Sequence, residues 1–257
     1  MRMNFQANET PQLGLFSEDA VSELHLATLE LLEETGVEVT NQEALGLLRD
    51  GGSRIKGNRV TIPASLVEEC LSNSPKRVTL STRNDNKCLQ LENGKFYFGT
   101  GSDCPYILDP ATGERRESLK EDVEKGALIC DFLPNIDFVM SMGLASDVPT
   151  AVYDRHQFAA MLTNTIKPIV FTCHDKEGLS DILDMGIAVR GSLEEFRKRP
   201  FIVLYTEPIT PLVHPDSSLK KLLFAAEKGI PVIYTPAPMA GATAPVTLAG
   251  TIVIGNA

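Results

Sequence analysis

The sequence predicts an α/β protein with a parallel sheet, because short apolar strands alternate with helices at a nearly constant interval. The strands begin at Ile136, Lys167, Pro200 and Ile230, which are 31, 33 and 30 residues apart. Each strand is almost continuously apolar, which is typical of strands whose two faces are both covered. An open doubly wound sheet and a (β/α)8 barrel both fit, but no G-x-G-x-x-G follows the first strand, as it usually does in the open sheet. We therefore expect the (β/α)8 barrel type, with about the first four β/α units present.

The helices of this barrel region follow from the apolar periodicity between the strands. The predicted helices span residues 119–132, 152–165, 177–189 and 217–228. The loops that follow the strands are GLASDVPT, FTCHD, YTEPITPL and TPAPMAGATAP. Barrel enzymes carry their sites at the carboxyl ends of the strands, so we expect the chemistry in these loops.

Residues 1–118 show a different pattern, which predicts a helical and small β region before the barrel half at residues 119–257. Apolar spacing predicts three helices, at residues 17–36, 42–49 and 63–73, with Ser17 as the first N-cap. After Pro75 the pattern changes to short strands, in RVTLST, KFYFGTG and PYILDPATGERR.

Composition excludes several classes of partner. The chain of 257 residues has a net charge of -10, which disfavours nucleic acid and anionic membrane surfaces. No apolar stretch is long enough for a signal peptide or a membrane span. The five cysteines form no C-x-x-C pair, so neither a disulfide framework nor a metal cluster is indicated. We expect a cytoplasmic protein that binds no metal, nucleic acid or membrane.

Two candidate catalytic residues follow predicted strands. Glu207 lies just past the third strand, on the face shared by Phe201, Val203 and Tyr205. It is either a general base or counter-charge, or a loop carboxylate that accepts a backbone hydrogen bond. His174, in the loop FTCHD, is either an acid/base group or a polar residue with a structural partner.

Aromatic and sulfur-containing residues near the strand ends suggest a cationic ligand, because aromatic faces attract quaternary ammonium groups. The candidate substrate-binding residues are Phe171, Tyr205, Tyr234 and Met239, and the alternative for each is core packing. Asp103, in GTGSDCP, is a further candidate if that segment folds over the barrel, and otherwise an aspartate of a β-turn.

The loop after the fourth strand carries almost no side chain larger than a methyl group. It includes Ala240, Gly241, Ala242 and Thr243. Such a loop either admits a bulky or protein-held group close to the backbone, or it serves plain tight packing.

Several longer stretches of the sequence carry a family pattern: LEETGVEV, NQEALGLLRDGG, VTIPASLVEECLSNSP, YILDPATGERR, EDVEKGALICDFLPNIDFV, EPITPL and IPVIYTPAPMAGATAPVTLAG. Through them the chain resembles the trimethylamine methyltransferase family, from about Leu13 to Ala257. The resemblance implies a (β/α)8 barrel with an N-terminal extension. It also implies transfer of a methyl group from a tertiary or quaternary amine, such as trimethylamine or glycine betaine, to the Co(I) corrinoid of a partner protein. No cofactor is then bound directly.

The same resemblance implies a protein nearly twice as long, so we expect this chain to be part of a longer protein, with further catalytic residues in the other half. Relatives specific for trimethylamine carry a pyrrolysine there. We expect residues 240–243 to face the approaching corrinoid protein, and the protein to be a homo-oligomer. The alternatives are a non-catalytic barrel module that binds quaternary amines, and an unrelated barrel lyase or hydrolase.

Overall fold

The computed structural model describes residues 14–257, which divide into two compact units. The first unit comprises Lys76–Tyr205 and Phe224–Ile233. The second comprises residues 14–75, Thr206–Leu223 and Tyr234–Ala257. The domain boundary expected after residue 118 stays a prediction.

Helices and short strands alternate through the described residues. The helices are α1 (Glu18–Glu30), α2 (Gln42–Asp50), α3 (Ala64–Asn73), α4 (Lys120–Phe132), α5 (Tyr153–Asn164), α6 (Lys176–Arg190), α7 (Leu193–Lys198), α8 (Asp216–Lys228) and α9 (Leu248–Asn256). The strands are β1 (Val37–Val39), β2 (Arg54–Lys56), β3 (Arg59–Thr61), β4 (Val78–Ser81), β5 (Cys88–Leu91), β6 (Tyr106–Leu108), β7 (Arg115–Glu117), β8 (Ile169–Phe171), β9 (Ile202–Thr206), β10 (Val213–His214) and β11 (Val232–Tyr234). A π-helical turn, Leu31–Thr35, extends α1, and a 3-10 turn, Thr150–Val152, precedes α5.

Local capping chemistry sets the helix ends. Ser17 is the N-cap of α1, as predicted, and its side chain accepts a hydrogen bond from the backbone N–H of Ala20. Asp175 caps α6 in the same way, because its carboxylate accepts the N–H of Gly178 at 2.7 Å. The helix α6 ends at Gly191, whose φ of 89° is left-handed and suits glycine.

The central sheet of the first unit is parallel where β8 pairs with β9, with Ile169 opposite Ile202. The strand order is β11-β9-β8, and β10, which lies between β9 and β11 in the chain, belongs to a different sheet. The strand predicted at Ile136 is present only as isolated parallel bridges, one of which joins Val139 to Ile169. The left-handed φ of 62° at Met142 interrupts the extended path that a longer strand needs.

The segment at residues 98–104, which overlaps the predicted strand KFYFGTG, extends this parallel array on its other side. It pairs with residues 138–143 through two parallel bridges, Gly99–Phe138 and Cys104–Gly143. Between the bridges the Thr100 hydroxyl replaces a backbone partner, since it accepts the N–H of Met140 at 2.7 Å and donates to its carbonyl at 2.9 Å. Because α4 lies between the two segments in the chain, they form a strand–helix–strand unit.

Alternate residues of the array enter two different cores. One core packs the sheet against helices, and its strand residues include Val139, Ile169, Phe171, Ile202 and Leu204. The other packs the sheet against the β4–β5 hairpin, and its array residues include Met140, Val170, Val203, Tyr205 and Ile233. This confirms the prediction that both faces are covered, and that residues 203 and 205 share one face while 202 and 204 share the other. Phe201, which was predicted to share the face of Val203 and Tyr205, packs in the helix-facing core instead.

The second unit has a four-stranded sheet in the order β10-β1-β3-β2. The strand β1 pairs in parallel with β10 and antiparallel with β3. Gly36 precedes β1 with a φ of 69°, and a Cβ there would lie 2.1 Å from the Val60 carbonyl oxygen, so only glycine fits.

The class of the protein is α/β, as predicted, and none of the sheets within residues 14–257 closes into a barrel. No helix in this part of the chain combines the length and the hydrophobicity that a membrane crossing requires.

Candidate active site

One carboxylate of the first unit, that of Asp103, is held by three neutral side chains. Its Oδ1 accepts hydrogen bonds from Nε2 of Gln157 at 2.8 Å and from Oγ of Ser141 at 3.1 Å. Its Oδ2 accepts one from Oγ1 of Thr172 at 2.6 Å. We call these four residues the Asp103 cage. Because the donors are neutral, they orient the negative charge of the carboxylate without neutralising it.

The cage is built at the carboxyl ends of the parallel array. Thr172 directly follows β8, Ser141 follows the bridge at Val139, and Asp103 lies near the end of the 98–104 segment. This is the edge at which parallel α/β folds carry their ligand sites. The φ of 60° at Asp103 is left-handed, a conformation that aspartate tolerates better than most residues and that is common at functional sites.

A cavity of about 340 Å³ adjoins the cage. Its lining residues are Leu144, Ala145, Ser146, Val148, Thr150 and Tyr153. The Gln157 side chain joins cavity wall and cage, because its Oε1 accepts the N–H of Ala145 at 3.4 Å while its Nε2 donates to Asp103. A volume of this order accommodates a small organic ligand.

The half-buried Tyr153 provides an aromatic ring and a hydroxyl at the cavity. Burial raises the pKa of its phenol, and the nearby carboxylates of Asp103 and Asp154 raise this pKa further. The phenol is therefore protonated at neutral pH.

A second carboxylate, Asp154 at the start of α5, has a fully buried side chain. Its Oδ1 accepts a hydrogen bond from Nη1 of Arg155 at 3.1 Å and its Oδ2 accepts the backbone N–H of His174 at 2.9 Å. A Cβ at Gly178 would lie 2.4 Å from this Oδ2, so α6 approaches the carboxylate as closely as it does only because residue 178 is glycine. The Asp154–Arg155 pair thus holds the loop that contains Thr172.

The two predicted catalytic residues, His174 and Glu207, both have exposed side chains and are held through their backbones. The His174 side chain is exposed, and the residue is held through its backbone by Asp154. Glu207 is also exposed, and its carbonyl oxygen accepts a hydrogen bond from Oγ of Ser218 at 2.7 Å. For both side chains a catalytic role stays a prediction.

Strand parity places the predicted aromatic residues. Phe171 is 2% exposed and packs edge-on against Phe158, with ring centroids 5.4 Å apart, in the helix-facing core. Tyr205 is partly buried and packs with the core on the opposite face of the sheet. Tyr234 is bonded through its hydroxyl to Nδ1 of His214 at 2.9 Å, and burial raises its pKa to about 12. The predicted substrate contacts of these residues stay predictions.

The loop of small residues forms a compact turn. The Met239 carbonyl accepts backbone N–H groups from Ala242, Thr243 and Ala244 at 3.0–3.1 Å, and Gly241 adopts a φ of 78°. The Met239 side chain is 59% exposed, and Ala240, Gly241 and Ala242 are exposed as well. A role of residues 240–243 in the approach of a partner stays a prediction.

Sequence reasoning missed Ser141, Tyr153, Gln157 and Thr172. Thr172 lies in the loop FTCHD, which was predicted to contribute to the site because it follows a strand, but His174 was chosen as the functional residue of that loop. A polar Gln157 on an otherwise buried helix face, where it is only 2% exposed, was a usable signal for a buried partner. Within residues 14–257, no group of three or more His, Cys, Asp or Glu side chains is arranged to hold a metal ion.

Comparison with known proteins decides the family. The sequence model of the family described as trimethylamine methyltransferase (MTTB) matches residues 1–257. The chain belongs to the trimethylamine methyltransferase family. This confirms the resemblance seen in the sequence.

Individual members of the family give the extent of the similarity. Trimethylamine methyltransferase MttB of Desulfitobacterium hafniense is 31% identical over 246 residues, covering 95% of this chain and 50% of that protein. Glycine betaine methyltransferase of the same species is 28% identical over 248 residues, covering 96% and 52%. Trimethylamine methyltransferase MttB1 of Methanosarcina mazei is 31% identical over 262 residues, covering 98% and 52%. The chain spans about half the length of the curated relatives it matches.

Proposed function

We propose that this chain serves a methyltransferase that moves a methyl group from a tertiary or quaternary methylated amine to the Co(I) corrinoid of a partner protein. The family and the names of its members, which include trimethylamine and glycine betaine methyltransferases, support the reaction class. The observation that carries the proposal is the Asp103 carboxylate, oriented by neutral donors at the carboxyl ends of the parallel array.

The reaction breaks a C–N bond, whose electron pair stays on nitrogen, and forms a Co–C bond with the electron pair of cobalt(I). The nitrogen of the substrate is positively charged before transfer and neutral afterwards, while the carboxylate of a betaine keeps its charge. In the proposed site Asp103 attracts the ammonium group and Tyr153 presents an aromatic face to its methyl groups. The cage holds the carboxylate in one orientation, so the amine is bound with a defined direction for transfer.

The array supports the barrel assignment. Its members, from residues 98–104 through β8 and β9 to β11, follow one another in chain order, and helices cover one face. We propose that they are consecutive units of a (β/α)8 barrel. Glu207 and His174 remain the proposed catalytic residues, residues 240–243 the proposed approach of the corrinoid protein, and a cytoplasmic homo-oligomer the proposed state.

The test mixes this chain with cobalamin reduced to Co(I) and, separately, trimethylamine, tetramethylammonium or glycine betaine. We expect the Co(I) absorbance to fall as methylcobalamin forms, with an equal amount of demethylated amine in the NMR spectrum. The matched control is Glu121→Gln, which removes one charge from an exposed ion pair on α4 and should leave the rate unchanged.

Other outcomes distinguish the competing functions. Saturable amine binding without methylcobalamin would replace the proposal by the non-catalytic binding module. Conversion of the amine without any change in Co(I) would replace it by an unrelated barrel lyase or hydrolase.

A further inference from the structure

We infer that the Asp103 cage selects methylated amines with a net positive charge over zwitterionic betaines, with Asp103 as the counter-charge of the ammonium group. The inference rests on the proposed function, because it names the substrate class of the same site. It depends on how each charge around the cavity is compensated.

The first step is the charge of the cage itself. Ser141, Gln157 and Thr172 supply three hydrogen bonds to Asp103 but no positive charge. The carboxylate is partly buried, so its negative charge acts over several ångströms. A cationic ligand in the adjoining cavity would complete the pair.

The second step concerns Arg155, a basic residue on α5, the helix that also carries Tyr153 and Gln157, because a betaine carboxylate would need a cationic partner. Its Nη1 donates to Asp154, and its Nε donates to Asp181 at 2.6 Å. Its side chain is only 17% exposed. Its Nη2 also lies 3.8 Å from Asp175, so the guanidinium is paired with three aspartates and offers little to a further anion.

The third step is the sign of the potential at the cavity wall. Tyr153 lines the cavity, and after burial the Asp103 carboxylate, which no cationic side chain of the cage balances, is the next cause of the raised pKa of its phenol. A trimethylammonium head is attracted by this potential and by the aromatic ring. The carboxylate of a betaine, only one or two carbon atoms away from the nitrogen, is repelled by the same charge.

Calorimetric titration of the chain without cobalamin tests the inference, with choline, glycine betaine and 3,3-dimethylbutan-1-ol as probes. The last has the shape of choline with carbon in place of the cationic nitrogen. We expect choline to bind about tenfold more tightly than either of the other two, or more. The Asp103→Asn variant should bind choline about tenfold more weakly than the wild type does, while its affinity for the neutral alcohol should be unchanged.

Two further variants keep the test decisive. Thr172→Val removes a hydrogen bond to the carboxylate but not its charge, so the preference for choline over the alcohol should persist. Glu121→Gln, far out on an exposed helix face, controls for the change in net charge. Circular dichroism confirms that each variant is folded.

The inference is overturned if glycine betaine binds as tightly as choline, or if folded Asp103→Asn retains the preference for choline over the alcohol. Because no corrinoid is present, failure of methyl transfer leaves this result standing. Conversely, methyl transfer from glycine betaine at the rate seen with tetramethylammonium would support the proposed function and contradict the selectivity.

Discussion

Asp103 and Asp154 lie near the same edge of the parallel array, yet the two carboxylates have partners of different charge. Asp154 is fully buried and bonded to a guanidinium and to a backbone N–H. Asp103 is partly exposed and bonded only to neutral side chains in its cage. The charge of Asp154 is compensated within the fold, so it acts on structure, whereas the charge of Asp103 is available to a ligand.

The largest expected effect is the difference in stability between two variants, in which either Asp154 or Asp103 is replaced by asparagine. Asp154→Asn should lower the free energy of unfolding by about 3 kcal/mol, because every group around this carboxylate is a donor and Arg155 loses a buried counter-charge. Asp103→Asn should cost at most about 1 kcal/mol, because the Ser141 and Thr172 hydroxyls can turn to accept from the new amide. Urea denaturation followed by circular dichroism measures both.

The control for this pair is Asp181→Asn. Asp181 also binds Arg155, but its side chain is 56% exposed, so its removal should cost less than about 1 kcal/mol. Equal losses in Asp103→Asn and Asp154→Asn would show that the two carboxylates do not differ in the way the structure indicates.

A second substitution tests the packing around Asp154 without removing its charge. Gly178→Ala should destabilise the protein by about 2 kcal/mol, because the added methyl group would overlap the Asp154 carboxylate. Gly46→Ala in α2 is the matched helical control, since a Cβ there meets nothing within 4 Å. It should leave stability unchanged or raise it by about 1 kcal/mol. Similar denaturation midpoints for the two variants would exclude close packing at Gly178.

The smallest expected effect is on a pKa. The folded-state pKa of Tyr153 is raised above its ordinary value of 10.0, first by burial and then by Asp103. A raised pKa means that this tyrosine's contribution to stability is fully present below pH 10 and is lost as the pH rises through the folded-state value. NMR of 13C-labelled tyrosine, assigned with Tyr153→Phe, should show a lower Tyr153 pKa in Asp103→Asn than in the wild type. The same pKa in both proteins would place the Asp103 charge too far from the ring for a shared ligand.

Much of the local structure could be predicted from the sequence, because its signals are local. Apolar spacing identified the helices, for example α6, and capping residues such as Ser17 set their ends. The interval of about thirty residues identified the parallel strands β8, β9 and β11. The family could also be identified from the sequence, because its motifs are contiguous stretches of the chain.

The 98–104 segment shows why part of the array was missed. Its apolar content resembles any short strand, and it enters the array by pairing with residues about forty positions later, partly through the Thr100 side chain. Strand partners depend on which segments fold together, which apolar periodicity does not encode.

By itself, the sequence determined the α/β class, the order of helices and strands, and membership of the family. Only the tertiary structure decided which carboxylate is available to a ligand. The donors to Asp103 come from positions 38, 54 and 69 residues away, and the Arg155 that neutralises Asp154 is its chain neighbour. Both aspartates look alike in sequence, because the free energy of a charge depends on the atoms packed around it in space.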